Sequence, residues 1–488
     1  MNATFTNVGR IPRAGALGAA VGGVVLTMAI LTSSVLYAQY SNAFLIDSDE
    51  VPASFSSTTY LSAGLTQELG DDLSVPPIPQ VSTQSSSSSL PDDDTVVSED
   101  EPLFNPDDYL TKSEFQDHAS KLAWKKGDFT FTPYGFVWVN AVMNSQACVT
   151  DCFLLYNQSP DVNDAASCGV DARTSRIGMK IDGPKVCGIY DLSGTFEADF
   201  QGAANGSRNK GQMQFRKAYI ELIDRANDAR LEFGQDWDTI SPLAPQMLNY
   251  LPCGFVGNIG YRRAQIRYEK GFTFSPDFKS KYTIGIADPF PGDFLTTPGV
   301  SACSGGWPMV QGRVAFSFGE HCHCGRATTI GFSGHIGQNV YQFSGVTART
   351  PTWSYNADLD VPIGRRFRLL GEYFFGENLS TFCGGINQGV NNVTHESIRD
   401  QGGWICLNSK LSDKLTNNIG CAIDQPFEDD LQGMAGARTC NKGIFTNFLY
   451  QWNKAFMTGL EFGNWKTEYL DMAPGENLRI EFAAQYLF

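Results

Sequence analysis

The last eleven residues constrain this chain more than any other stretch. Leu478 to Phe488 reads Leu-Arg-Ile-Glu-Phe-Ala-Ala-Gln-Tyr-Leu-Phe. Ile480, Phe482, Ala484, Tyr486 and Phe488 recur at period two, with Arg479, Glu481 and Gln485 mainly on the other side. That is the pattern of a strand with one apolar face. Left at the margin of an open sheet, such a strand is an unpaired apolar edge, which folded proteins normally blunt. Closing the sheet into a barrel pairs the last strand with the first and leaves no edge. The plainer alternative is the final strand of a sandwich.

The connections decide between them. Beyond Lys126 the apolar period stays at two, and about sixteen strands fit between Thr130 and Phe488. Gly183–Gly188, Arg225–Ala229, Pro362–Arg366 and Asn453–Phe456 are short links. Asn144–Asp171, Trp237–Asn258, Asp288–Pro308, Asn378–Arg399 and Gln425–Lys442 are long ones. Short turns on one rim and long loops on the other are the habit of a membrane-spanning barrel, whereas a sandwich has no reason to alternate them. The expected class is therefore all-β, a transmembrane antiparallel β-barrel of about sixteen strands spanning residues 127–488.

Composition agrees. Hydrophobic residues make up 42% and mean hydropathy is −0.20, too polar for a bundle of membrane helices. A barrel tolerates this because only every second strand residue meets lipid. The net charge of −16 is concentrated upstream: between Arg13 and Lys112 there are 14 acids and no base. The body is nearly balanced, with 38 acids against 34 bases from Lys112 onward, so nucleic acid is not an expected partner. Arg10 and Arg13 followed by an apolar run and small residues predict a signal peptide over 1–43, cleaved after Ala38 or Ala43. Residues 44–104 are rich in Ser, Asp, Pro and Thr and are expected to form a disordered acidic linker. Asn105, Pro106, Asp107 and Asp108 have the chemistry of a helix start, predicting a short periplasmic helix over 105–126.

The 12 cysteines are even in number and scattered, which points to an oxidising compartment and disulfides. Cys406 and Cys421 are about equally far from a turn near Ser412-Asp413, so they are expected to pair across that hairpin. No catalytic motif stands out. Gly331-Phe-Ser-Gly-His335 lacks the final Gly of a nucleophile elbow, and His395-Glu396 lacks the second His of a zinc-protease helix. Glu320-His-Cys-His-Cys324 carries metal-ligand types but sits in a turn between two strands, where a disulfide or a pair of solvated His is the commoner outcome. Neither enzyme chemistry, nor a cofactor, nor a metal is expected.

The polar faces of the strands are more informative. Arg176 and Lys180, then Lys217 and Glu221, then Arg263, Gln265, Arg267 and Glu269, then Gln311 and Arg313, alternate with apolar neighbours such as Ile177, Ile220, Ile266 and Val314. With the apolar face on lipid, Arg176, Lys180, Lys217, Glu221, Arg263, Arg267 and Arg313 line the lumen, and bases there would attract small anions. Glu197, Asp199, Glu221 and Glu232 offer these bases partners in the solvated alternative.

Three stretches carry a family resemblance. Arg173-Thr-Ser-Arg-Ile-Gly-Met-Lys-Ile-Asp-Gly-Pro184, Arg216-Lys-Ala-Tyr-Ile-Glu221 and Leu231-Glu-Phe-Gly-Gln-Asp-Trp-Asp-Thr-Ile-Ser-Pro-Leu243 resemble trimeric outer-membrane porins similar to the dicarboxylate-specific (DcaP-like) family. The similarity covers roughly Thr130 to Tyr268 and the final strand, where Phe482, Tyr486 and Phe488 look like the signal read by the barrel-insertion machinery. It implies a sixteen-stranded homotrimer in outer-membrane lipid of a bacterial cell, passing small anionic solutes by diffusion. It also implies that Trp237–Asn258 folds inward, with Asp236, Asp238, Pro242, Pro245, Asn249 and Tyr250 forming the constriction and Cys253 stapling the loop's end. The long acidic segment and the cysteines depart from that family. The competing class is a structural or adhesive barrel with a filled lumen and disulfide-stapled surface loops.

Overall fold

The computed structural model describes residues 123–202, 209–289, 308–319, 326–343 and 346–488. The expected signal peptide and acidic linker, residues 105–122 of the expected helix, and the Glu320–Cys324 cluster lie outside the described residues. The end of the expected helix is corrected: Trp124–Lys126 is a strand, paired with the chain just after it.

The strands are β1 (Trp124–Lys126), β2 (Phe129–Asn144), β3 (Ser167–Asp171), β4 (Arg176–Asp182), β5 (Asp191–Asp199), β6 (Gln214–Asp224), β7 (Ala229–Trp237), β8 (Arg262–Ser275) and β9 (Phe278–Ala287). They continue with β10 (Met309–Phe318), β11 (Thr328–Phe343), β12 (Val346–Ile363), β13 (Phe367–Glu377), β14 (Arg399–Lys410), β15 (Leu415–Pro426), β16 (Arg438–Asn453), β17 (Phe456–Tyr469) and β18 (Gly475–Leu487). β3 and β4 both pair with β2 and are two halves of one barrel strand. With β1 a short tab, the barrel proper has sixteen antiparallel strands, each bonded to its sequence neighbour. β18 closes the ring on β2, from Arg479 opposite Asn144 to Leu487 opposite Phe136.

Alternation orients the wall residues, except at the register shifts. In β8, Ile266 is 51% exposed while its neighbour Gln265 is 5% exposed. In β18, Phe482 and Tyr486 face outward whereas Arg479, Glu481 and Gln485 are buried inside. The outside is therefore an apolar belt and the polar set points inward, as period two requires.

The interior is not uniformly polar. Trp404, Cys406, Leu370, Phe445 and Trp465 also point inward and pack against Met247, Cys253 and Val256 of the β7–β8 loop. This inward orientation removes the expected Cys406–Cys421 bridge. Cys406 lies opposite Gly420 and is buried inside, whereas Cys421 lies opposite Ile405 and is exposed outside. No disulfide forms among the nine described cysteines, so neither Cys253 nor the described loops are stapled.

The seam has a specific construction. Phe488 exchanges backbone hydrogen bonds with Gly135 (3.0 and 3.1 Å). Below it, Trp124, Lys125 and Lys126 pair with Phe131, Thr130 and Phe129, whose other edge is taken by β4. β1 therefore occupies the same line as β18 and runs in the same direction. Between them lies Pro133, of the same parity as Gly135, so the edge position facing the gap is one that carries no N–H to leave unsatisfied.

Candidate functional site

Inside the barrel the β7–β8 loop takes a definite course. Its two ends are tied where Asp238 meets Arg263 (2.6 Å, both side chains fully buried) and accepts from the backbone N–H of Tyr261 (2.9 Å) and from Gln311 Nε2 (2.5 Å). The outgoing half then follows the wall. Leu243 N donates to Glu372 (2.7 Å), the side chains of Asn408 and Asn447 donate to Gln246 (3.1 and 2.8 Å), and Leu248 N donates to Glu461 (2.8 Å). Leu248 is inserted among Trp138, Leu449 and Met457. A Cβ on Gly459 would stand 2.7 Å from Leu248, so that glycine makes its socket. At the far side Asn249 accepts from Leu154 N (2.9 Å), and Tyr250 donates to Asp199 (2.7 Å).

The returning half packs over the apolar patch. Gly257 has φ +108°, and a Cβ there would lie 2.4 Å from the carbonyl of Gly403 and 2.5 Å from that of Ile423. Only glycine lets the loop backbone come this close to the wall in that conformation. Carboxylates that accept loop N–H groups thus fasten the segment to β13 and β17, and each such charge-assisted bond is stronger than a neutral one.

The opposite wall carries two arcs of charge, the first of which the loop meets at Tyr250. The first joins Arg176, Arg216, Lys217 and Arg262 with Glu197 and Asp199. Arg216 lies 3.0 Å from Glu197 and 2.9 Å from Asp199, and Arg176 lies 3.6 Å from Glu197. Arg262 is buried between the rings of Trp237 and Tyr261. The second arc joins Arg230, Arg267 and Lys281 with Glu221, Glu232, Asp236 and Glu269. Arg267 contacts Glu232 (2.9 Å), Asp236 (3.0 Å) and Glu269 (3.0 Å), Lys281 contacts Glu269 (2.7 Å), and Arg230 pairs with Glu221 and Glu232. The first arc has four bases to two acids and the second three bases to four acids. Low-dielectric walls keep such charges poorly screened.

Most residues singled out from the sequence face this interior, but not all as expected. Arg176 and Lys217 fall in the first arc; Glu221, Arg267 and Asp236 fall in the second. Arg263 is consumed by Asp238. Arg313 stands apart, paired with Asp358 on β12 (2.6 Å). Lys180 is at the mouth, half-exposed beside Asp182 (3.5 Å). Asn249, Tyr250 and Pro245 are buried anchors, and the loop surface left partly open belongs to Pro242, Leu243, Ala244 and Gln246. Gln265 is also closed in, donating to the Trp237 carbonyl (2.8 Å), so it is not the roomy inward position that alternation alone suggests.

Strict alternation missed Arg216. The register between β5 and β6 shifts at Glu197/Ala198, a bulge that puts Arg216 and Lys217 on the same side. The outward residues Phe215 and Ala218 are three apart instead of two, and that slip in apolar spacing was the available signal.

No protein-family model and no curated protein matches the sequence. Among solved structures, the outer membrane channel DcaP of Acinetobacter baumannii superposes with a TM-score of 0.62 at 17% identity, over 75% of this chain and 99% of that chain. Salmonella typhi OmpF, in complex with daunomycin, matches at 0.49 and 12% identity over 75% of this chain and 100% of that one. An anion-selective porin from Comamonas acidovorans matches at 0.48 and 13% identity over 74% and 100%. The described residues have the fold of the DcaP outer membrane channel.

Proposed function

We propose that this protein is a bacterial outer-membrane porin through which small hydrophilic solutes diffuse, with a preference for anions. The observation that carries the reading is the division of the lumen. One side is occupied by a loop fastened to its wall, and the other carries a ladder of charged side chains that the loop reaches at Tyr250. Arg176, Lys217, Glu221, Arg267 and Arg313 are the pore-lining set, and the preference comes from the excess of bases in the first arc. The resemblance to DcaP-like porins extends the proposal to a homotrimer, whose band should shift on boiling. It also makes Phe482, Tyr486 and Phe488 the insertion signal; the outward exposure of all three supports that role.

The packing of Trp404, Phe445 and Trp465 against the loop favours a second reading, a filled barrel with a structural or adhesive role. Purified protein in a planar bilayer separates the two. Stepwise conductance with a reversal potential displaced toward the anion equilibrium supports the porin, and a silent bilayer with the barrel intact by circular dichroism overturns it.

A further inference from the structure

We propose that the exposed bases along the short-turn rim, from the β12–β13 turn round to the seam, form a docking surface for this chain's own acidic residues 92–108. Arg365 and Arg366 lie in the β12–β13 turn, Lys410 and Lys414 flank the β14–β15 turn, and Lys454 lies in the β16–β17 turn. All five are exposed. Backbone hydrogen bonds join these turns into one continuous ledge. Lys410 N donates to the Arg366 carbonyl (2.7 Å), Gln451 N to that of Lys414 (2.8 Å), and Leu487 N to that of Ala455 (2.8 Å), which brings the ledge to the last strand. Exposed Lys125 and Lys126 of β1 continue it across the seam. Along this stretch the exposed acids are Asp128 and Asp413, two against seven bases among the described residues. Lys410 pairs with Asp413 (3.4 Å), whereas Arg365, Arg366 and Lys414 make no ion pair with a described residue.

The turns on the other side of the seam differ. Lys185 in the β4–β5 turn is 2.8 Å from Asp191, which also takes Arg225 of the β6–β7 turn (2.6 Å), and Lys180 faces Asp182 (3.5 Å). Base meets acid there, so the positive surplus belongs to one half of the rim. The sequence supplies the matching charge at the right place. Residues 92–108 hold eight acids, grouped as Asp92-Asp93-Asp94, Glu99-Asp100-Glu101 and Asp107-Asp108, and no base. They join the barrel at Trp124, on this rim and at the seam end of the ledge. A flexible chain of the 16 to 32 residues that separate them from Trp124 spans about 20–35 Å. The ledge crosses six strands, about 30 Å at the usual strand spacing, so reach and length agree. A single exposed ion pair contributes little, and it is the clustering of charge on both sides that gives the contact its strength. Occupied in this way, the rim no longer adds its surplus of bases to the field at that mouth.

Zero-length carbodiimide coupling, which joins a carboxylate to an adjacent lysine amine, tests this on the purified protein in neutral detergent. Lys454 and Lys185 lie in turns two strands from the seam, on opposite sides of it, so a segment merely tethered at Trp124 reaches both equally. Peptide mass mapping should find residues 92–108 joined to Lys410, Lys414 and Lys454 about tenfold more than to Lys185 in 0.1 M salt. That excess should vanish in 1 M salt, where the screening length falls from about 10 Å to about 3 Å. Arg365→Gln combined with Arg366→Gln should cut coupling to Lys414 severalfold, and Arg365→Lys combined with Arg366→Lys should restore it. Equal coupling to Lys185 and Lys454 overturns the inference, because tethering alone then accounts for the contact. Coupling that disappears in phosphatidylglycerol vesicles assigns the ledge to anionic headgroups, and coupling found only between isotopically distinct chains assigns it to a second copy. Either result overturns docking by the chain's own segment.

Discussion

Gly257→Ala is the sharpest single perturbation of this architecture. The new methyl would meet two backbone carbonyls, those of Gly403 and Ile423, at 2.4 and 2.5 Å, and neither is the movable end of a side chain. Its φ of +108° is also unfavourable for any residue with a Cβ, a strain of about 1–3 kcal/mol. Relieving both means lifting the returning half of the loop by nearly an ångström from β14 and β15. That loosens Val256 and Cys253, which are each 1% exposed; burying such side chains is worth roughly 1.5–3 kcal/mol apiece. Losing part of that contact in addition to the strain gives a local destabilisation of about 3 kcal/mol, or roughly two orders of magnitude in the opened fraction. The assay is labelling of Cys253 by a small thiol reagent, followed by peptide mass mapping and compared with Cys187, which is exposed in any case. Cys253 should react about a hundredfold faster in the variant, and single-channel current should become noisier. A folded variant with Cys253 as protected as before would refute the claim that this glycine seats the loop.

Other perturbations have equally definite outcomes. Ile266→Arg should cost about 2–4 kcal/mol near the bilayer midplane, whereas Lys180→Gln, half-exposed at the mouth, should cost little, as read from denaturant midpoints in detergent. Arg263→Ala strands Asp238 in a site without solvent access and should destabilise by about 3–5 kcal/mol, lowering the temperature at which the boiled band appears. Asp430 lies in the short turn Glu428–Leu431, where its hydrogen bonds to the Arg399 guanidinium, and then that group's charge, hold its carboxyl below the usual range. Its contribution is therefore complete above the unfolded pKa of roughly 3.9 and is lost as pH falls through the lower folded value. Asp430→Asn should flatten loop protection from hydrogen exchange across that acidic window.

Much of the barrel was legible because its physics is local. Period two placed Ile480, Phe482 and Arg479 on the right faces and gave about sixteen strands, and alternating connection length pointed to a closed ring rather than a sandwich. What failed depended on departures from that period or on partners far away in sequence. The bulge at Glu197/Ala198 turned Arg216 inward against the count. Cys406 and Cys421 were symmetric about their turn, yet symmetry fixes distance along the hairpin and not facing, and an odd offset put them on opposite sides of the wall. Asp238 read as a constriction acid because it opens the loop; its burial follows from Arg263 and Gln311, which are 25 and 73 residues away. The apolar half of the lumen was hidden for the opposite reason. Trp404, Phe445 and Trp465 look lipid-facing by type, and only an inserted loop rich in Met, Leu and Val gives them somewhere dry to point.

The collinear arrangement of β18 and β1 makes the sixteenth strand, in effect, one strand contributed by two distant parts of the sequence. Phe488 sits opposite Gly135 and Trp124 opposite Phe131, so only the positions facing Tyr134, Pro133 and Thr132 are vacant between them. A linker of three residues would make the backbone continuous around the whole barrel. The molecule is therefore suited to circular permutation, with Phe488 joined to Trp124 and new ends cut in an outer loop. In such a permutant, nothing upstream of Trp124 would be needed to keep the sheet closed.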